Sequence, residues 1–318
     1  MRKALNKELV EGRIYQHKLE VKTVSNQASA NFGKPFIAGT IEVAVDEQGL
    51  NVIPVHFTYV TETTANGSNN ATYSNLKKII DNGKTWIADG KDEATKVSIS
   101  TAIALNDFYT QDDSLVSVKT NEGGFVTIVS ELKEEKDRNF FQVDMLINGT
   151  TRISADPEKN IDKDYVIVKG AIFNFRNDLL PVDFVVRTND GMEYFENLGA
   201  DNANPVYTKV WGKIECRTIV TEMKEESAFG ESSVRTFERK TKEWVITGTA
   251  QVPYDFGDEN VLTVEDVNTA IQNRELMLAE TKKRSEEYRA SKNSISPAPE
   301  ATVTAAKPVA TQVGNFSF

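Results

Sequence analysis

FIAGTIEVAVDEQGLNVIPVHFTYVT, at residues 36–61, recurs in altered form as YVIVKGAIFNFRNDLLPVDFVVRT, at residues 165–188. Gly39 corresponds to Gly170, and in each segment a Pro-Val-x-Phe step follows before a final Thr. Both segments are rich in β-branched and aromatic residues that alternate with polar ones, which is typical of strands with one buried face. The repeat therefore predicts that the chain contains the same β-rich unit twice.

A third matching pair extends the repeat. KVSI at residues 96–99 can be set against KVWG at residues 209–212, so the order of the landmarks is kept while the loops between them differ in length. Loops tolerate such insertions better than strands do. Each unit then consists of two strands, a connection and two more strands. The pattern predicts that the first connection is a helix over residues 72–83, capped by Ser74, and that the second is a loop over residues 197–207.

With one further strand each, the units match the layout of the five-stranded Greek-key barrel called the OB-fold. The same strand pattern also permits a β-sandwich, and that alternative stays open. The predicted fold class is mainly β, with two tandem OB-like five-stranded Greek-key barrels, a C-terminal helix and a disordered tail. The predicted boundaries are a leader at 1–34 with the first strand from Ile14, domains at 35–132 and 133–255, a charged helix at 262–293 and the tail at 294–318.

The C-terminal region differs in composition from the β-rich units. Thr263 and Asp266 resemble a capping pair at the start of the helix. The second half of the helix, AETKKRSEEYRASKN, is charged on most faces, so we expect it to extend into solvent. From Ser294 onward Ala, Pro, Thr, Val and Ser dominate, and a segment of this composition cannot bury a core.

The net charge of −10 counts against a uniformly basic coat for nucleic acid, although a local basic groove can lie on an acidic body.

Composition argues against an enzyme. One cysteine and two histidines exclude a zinc site of the Cys/His type. The chain also lacks a phosphate-binding loop, a Gly-rich dinucleotide motif and a nucleophile elbow. We therefore expect no catalytic residue, no metal and no cofactor. A nuclease that uses carboxylates and Mg²⁺ is the enzyme alternative that stays open, and metal-dependent loss of substrate would favour it.

The sequence gives no sign of export or membrane insertion. No apolar run approaches the roughly 20 residues that cross a bilayer, and the N-terminus lacks the apolar segment of a secretory signal. A single cysteine fits a reducing compartment. We expect a cytoplasmic location, in the host cell if a phage encodes the protein, and no membrane partner.

VWGKI at residues 210–214 resembles a V-x-G-x-[IL] strand of bacterial and phage single-stranded DNA-binding proteins, which follows their helix. The barrel order and a Pro-containing tail that ends in Phe318 are similar to that family. The resemblance implies binding of single-stranded DNA, or alternatively RNA, in phage DNA replication or recombination. It also implies that the tail tip, with Phe316 and Phe318, binds replication or recombination proteins, although GNFSF lacks the acidic residues that the family carries there. Separately from this resemblance, the sequence leaves the oligomeric state open, with a homo-oligomer as one option.

Alternation places Lys209, Trp211 and Lys213 on one face of this strand and apolar residues on the other. An aromatic ring between two lysines suits stacking on a base beside phosphate contacts. A Trp covered by a loop is an interpretation that the pattern favours equally.

Five more residues complete the predicted nucleic-acid-binding set. Phe173 and Phe175 share one face of their strand, and core packing is the role that the pattern favours over stacking on a base. Arg187 has an edge salt bridge as its alternative. The five residues are Lys96, Phe173, Phe175, Arg176 and Arg187.

A second class of function fits the same composition. Acidic, β-rich domains with many Asn and Thr residues also occur in virion structural and assembly proteins. Large particles or rings that form without nucleic acid would favour this second class.

Overall fold

The computed structural model of the chain describes residues 3–157, 161–225 and 233–294. The prediction of a mainly β protein with a C-terminal helix is confirmed. The helices are α1 (Ala71–Asn82), α2 (Trp86–Asp89), α3 (Asn189–Asn197) and α4 (Val264–Ser294). The strands are β1 (Asn6–His17), β2 (Glu20–Thr23), β3 (Pro35–Ala44), β4 (Val52–Thr61), β5 (Lys96–Tyr109), β6 (Leu115–Ile128), β7 (Asn139–Ile153), β8 (Tyr165–Phe173), β9 (Leu179–Val186), β10 (Val206–Glu225) and β11 (Ser233–Thr249).

Five strands of the N-terminal half pair in a closed cycle, which we call the first ring. The order is β1-β3-β4-β6-β5 and back to β1. All pairings are antiparallel except that of β4 with β6, where Val55 lies opposite Asn121. The first strand begins at Asn6, earlier than the predicted Ile14, and it belongs to this ring.

The C-terminal half repeats the same order. The second ring is β7-β8-β9-β11-β10 and back to β7. Its one parallel pairing again joins the third and fifth strands, through Val185 and Val245. Beyond the ring, β10 and β11 continue to pair with each other as far as Glu225 and Ser233.

The two rings are joined through their first strands. Residues Asn6 to Val10 of β1 pair antiparallel with Val143 to Asn139 of β7. All eleven strands therefore belong to one sheet, and one continuous cluster of buried apolar side chains runs through both rings.

The sequence landmarks lie on equivalent strands of the two rings. Gly39 is on the second strand of the first ring, and Gly170 is on the second strand of the second ring. A Cβ atom at Gly39 would lie 2.0 Å from the carbonyl oxygen of Lys18, and one at Gly170 would lie 2.1 Å from that of Leu146. Both positions therefore require glycine, because the backbone of the neighbouring segment approaches too closely for any side chain.

The second ring also carries a helix before its fourth strand, so the prediction of a loop there is corrected. Helix α3 ends at Asn197, where the predicted loop begins, and it buries Met192 and Phe195. It is short and contains Gly191 in its first turn, which lowers its helix propensity. A Cβ atom at Gly191 would lie 2.6 Å from the Thr188 hydroxyl, so packing rather than propensity selects this residue.

The predicted cap of α1 is also corrected. The helix begins at Ala71, and Asn70 caps it by accepting a hydrogen bond from the Thr72 amide at 3.0 Å. Ser74 lies inside the first turn, where its hydroxyl donates to the Asn70 carbonyl.

Helix α4 lies against the β5–β6 hairpin, which corrects the expectation that its second half extends into solvent. The capping pair is present, since Asp266 accepts from the Thr263 amide at 3.0 Å and donates its own amide to the Thr263 hydroxyl at 3.1 Å. Further along, Arg274 pairs with Asp107 at 3.1 Å and Arg289 pairs with Asp113 at 2.7 Å. Charged helix residues therefore bind complementary groups on the hairpin. Of the helices described, none is both long enough and apolar enough to cross a membrane.

Candidate nucleic-acid interface

Strand β10 has one buried face and one open face near its start. Val210, Gly212 and Ile214 are buried, whereas Trp211 is 38% exposed between the partly exposed Lys209 and Lys213. This is the division that alternation predicts, because successive side chains of a strand point to opposite faces.

The indole of Trp211 rests on the neighbouring strand. A Cβ atom at Gly248 of β11 would lie 2.5 Å from Nε1 of Trp211 and 2.7 to 2.8 Å from two further ring atoms. The missing side chain at Gly248 thus gives the ring a seat on the backbone. A ring fixed in this way can stack on a base without losing much conformational freedom on binding.

A row of side chains extends from Trp211 across two strands. Gln142 of β7 lies directly opposite Trp211, and Lys7 of β1 lies directly opposite Gln142. Residues that face each other in an antiparallel pair lie on the same side of the sheet. Lys7, Gln142 and Trp211 therefore share one surface, which includes strands from both rings.

The lysines of this surface differ in how they are held. Within the described residues, no ion pair engages the ammonium groups of Lys7 and Lys209, so both can bind an anion. Lys213 instead donates to the Lys136 carbonyl. Partial burial lowers the pKa of Lys213, against the opposing effect of the nearby Asp137.

A shallow cavity of about 520 Å³ surrounds the tryptophan. Phe140 and Gln142 of β7 form one side of it, and Thr247 of β11 forms another. Lys209, Trp211 and Lys213 also line it. The cavity thus combines an aromatic face, an amide and cations, the groups that contact bases and phosphates in single-strand binding. We call this surface the Trp211 face.

Phe173 and Phe175 do not share a face, because β8 ends at Phe173. Phe173 is fully buried in a cluster with Tyr207 and Leu262, so its predicted role in stacking on a base is corrected to core packing. Phe175 lies in the turn that follows and is 72% exposed. The guanidinium of Arg176 lies 5.1 Å from the centroid of the Phe175 ring.

Lys96 and Arg187 lie apart from the Trp211 face. Arg187 pairs with Glu243 at 2.5 Å and lies 5.2 Å from the ring centroid of Tyr165, which is the salt bridge that the alternative interpretation proposed. Lys96 lies opposite Arg13 of β1 and donates to the Ser130 carbonyl at 3.1 Å. Arg13 is six residues along β1 from Lys7, about 20 Å in an extended strand.

The predicted tail tip, Phe316 and Phe318, falls outside the described residues, as does the predicted disordered tail at 294–318 except for its first residue, Ser294, which ends α4. Among the residues that the structure describes, no three His, Cys, Asp or Glu side chains converge as metal ligands.

Sequence reasoning missed Lys7, Gln142 and Gly248. Lys7 is exposed next to the buried Glu8, so alternation in NKELVEG could have indicated a strand there. Its position beside Gln142 depends on the pairing of β1 with β7, which no local pattern reveals.

The chain belongs to the YorF family, whose model matches residues 6–284. No curated protein matches it.

Two solved structures with some similarity come from one protein, the single-stranded DNA binding protein of Thermus aquaticus. The wild-type structure has 9% identity and a TM-score of 0.44, covering 80% of this chain and 96% of that one. A deletion mutant has 10% identity and a TM-score of 0.44, covering 81% of this chain and 100% of that one. A similarity this weak carries no argument about function.

Proposed function

We propose that this protein binds single-stranded DNA on the Trp211 face and organises it without chemistry. The observation that carries the proposal is the open indole of Trp211, seated on Gly248 and adjacent to Lys209, whose ammonium no described residue pairs. An aromatic ring accepts any base, because every base has a π-face. The binding that this surface supports is therefore largely independent of sequence.

The electrostatics of the Trp211 face fit this ligand better than a duplex. A duplex binder needs many cations along two backbones, whereas the net charge here is −10. A local cationic strip lies beside the indole of Trp211 and consists of Lys7, Lys209 and Lys213. A single strand can follow such a strip while its bases turn toward the protein.

We also propose that each ring is a barrel of the OB type. The supporting observations are the strand order 1-2-3-5-4-1 in both cycles and the helix before the fourth strand, α1 in one ring and α3 in the other. OB barrels are frequent carriers of single-stranded nucleic acid.

The wider role belongs to the same proposal. We place the protein in DNA replication or recombination, encoded by a phage and acting in the host cytoplasm. Partner proteins would bind the tail tip at Phe316 and Phe318, and homo-oligomers would cover longer strands. Light scattering of the purified full chain, with and without oligonucleotide, tests whether homo-oligomers form.

The test of the proposal is fluorescence anisotropy of labelled oligo-dT with the full chain, at low and at physiological salt. We expect binding that weakens as salt rises, because cations released from the phosphates favour association at low salt. The same titration with oligo-U measures the preference for DNA over RNA. Absence of binding at either salt would contradict the proposal and favour the virion structural or assembly class.

A further inference from the structure

A second cavity, of about 550 Å³, lies where the two rings meet helix α4. Its floor is the apolar segment Ala102 to Leu105 of β5, and Met277 of α4 forms part of its wall. Lys209 lines this cavity as well as the cavity around Trp211. The two cavities are therefore neighbours on one surface, with a cation between them.

The turn between β8 and β9 presents an aromatic ring to this cavity. Asn174 accepts hydrogen bonds from the amides of Arg176 and Asp178 at 2.8 and 2.9 Å, which fixes the turn. Phe175, at the top of the turn, lines the cavity and is 72% exposed. An aromatic ring held open at a cavity mouth can stack on a flat ligand.

Helix α4 provides a firm wall on the other side. Arg274 and Asp107 pair at 3.1 Å, and their side chains are only 11% and 13% exposed. A nearly buried ion pair holds its elements in register, because breaking it would leave a charge without solvent. The cavity is thus built from fixed elements.

The charges in the cavity do not suit a phosphate. Asp107, Glu122, Asp144 and Asp178 line it, against Lys3, Lys209 and Arg274. The phosphates of a bound strand would stay at Lys209, and a base would enter. One carboxylate oxygen of Asp178 accepts a hydrogen bond from the side-chain amide of Asn174 at 2.9 Å. The other carboxylate oxygen is left to accept a hydrogen bond from a ligand. A carboxylate accepts a hydrogen bond from the N4 amino group of cytosine, whereas the equivalent position of thymine is the carbonyl oxygen O4, which repels a carboxylate.

We propose that this cavity is a nucleobase pocket with a preference for a base that carries an amino group. The pocket rests on the proposed binding of single-stranded DNA, of which it is a second contact beyond Trp211. The base stacks on Phe175, its amino group donates to Asp178, and the flanking phosphate lies at Lys209. Binding as a whole stays tolerant of sequence, because only the one base that enters this pocket is distinguished from other bases.

The experiment compares the affinities of the full chain for oligo-dC and oligo-dT of equal length at low salt. We expect the wild type to bind oligo-dC about tenfold more tightly, the lower end of the effect of one hydrogen bond to a charged group. Asp178→Ala should bind both with the oligo-dT affinity. Phe175→Ala should weaken both, whereas Phe125→Ala, which removes a ring that is 76% exposed on β6 and lines neither cavity, should weaken neither.

Equal affinities of the wild type for the two oligonucleotides would overturn the pocket, and so would a preference that persists in Asp178→Ala. If Asp178→Ala does not fold, Met277→Trp fills the same cavity from α4 and must abolish the preference. In both outcomes that overturn the pocket, the wild type still binds DNA. If the proposed function itself were wrong, the wild type would bind neither oligonucleotide.

Discussion

The two rings share one strand order, yet their fourth strands present different surfaces. The repeat aligns Trp211 of β10 with Ser98 of β5. Ser98 lies opposite Glu11 of β1, which is buried and accepts a hydrogen bond from the Lys133 amide at 2.7 Å. Trp211 lies opposite Gln142 beside an open cavity.

The difference comes from what covers each strand. The connection between β6 and β7 closes over the first ring, where Arg138 donates to the Lys133 carbonyl and pairs with Glu47 at 2.5 Å. Together with Lys91 and Arg13, Arg138 holds the pKa of Glu47 near 2. The same topology therefore gives a closed surface in one ring and a candidate binding surface in the other.

The side chain whose substitution should have the largest effect on stability lies on β1, the strand through which the first ring is joined to the second. Glu8 is fully buried and accepts hydrogen bonds from the Trp244 indole at 2.6 Å and from the Thr101 hydroxyl at 2.8 Å. Burial raises the pKa of Glu8 to about 7, against the opposing effects of Trp244, Thr101 and Lys242.

Glu8→Gln should therefore change how the stability of the joined rings depends on pH. The stability that comes from the raised pKa is fully present below the ordinary value of 4.5 and is lost as pH rises through about 7. At 1.36 kcal/mol per pKa unit, this loss is about 3 kcal/mol. Urea unfolding across this pH range should show the loss in the wild type and not in Glu8→Gln. Parallel curves for the two proteins would contradict the assignment, and Glu122→Gln is the exposed control.

Trp211→Ala should weaken oligo-dT binding by about 1–3 kcal/mol, the contribution of one stacked base. Ser98→Ala, at the aligned position of the first ring, should leave affinity unchanged. Anisotropy titrations at low salt measure both variants. Equal losses in the two would show that the rings do not differ in the way described.

Gly248→Ala should have a smaller effect in the same direction, about half of the Trp211→Ala loss in binding free energy. The added methyl group displaces the indole without removing it, because the new Cβ would lie 2.5 Å from the ring. The same titration tests this variant, with circular dichroism to verify the fold. Wild-type affinity of Gly248→Ala would mean that the position of the Trp211 indole does not matter for binding.

Lys209→Gln should reduce the dependence of log affinity on log salt by about 0.7, the value for one phosphate contact on a single strand. Lys96→Gln, on the fourth strand of the first ring, should leave that slope unchanged. Affinities measured over a series of salt concentrations provide both slopes, and an unchanged slope for Lys209→Gln would remove this lysine from the interface.

Local patterns predicted most strands and the division of faces on β10. Alternation is a property of the strand itself, so Trp211 and its flanking lysines could be assigned to one face from sequence. The capping pair of α4 was predicted for the same reason, because Thr263 and Asp266 contact each other within one turn.

Features that depend on distant segments could not be predicted. The pairing of β1 with β7 joins residues more than one hundred positions apart and brings Lys7 to Gln142. The seat of Trp211 on Gly248 depends on the register of β10 and β11. The end of β8 at Phe173 separates two phenylalanines that alternation assigned to one face, because a turn interrupts the period.

The most direct test of the central claim is ¹⁹F NMR of the full chain labelled with 5-fluorotryptophan, titrated with oligo-dT. The chain has three tryptophans, and Trp211→Phe assigns the resonance of interest. We predict that the Trp211 signal shifts on binding, while the signals of the buried Trp244 and of Trp86, which packs near Tyr15, stay in place. Binding that leaves the Trp211 signal unmoved would contradict the claim that this face holds the strand.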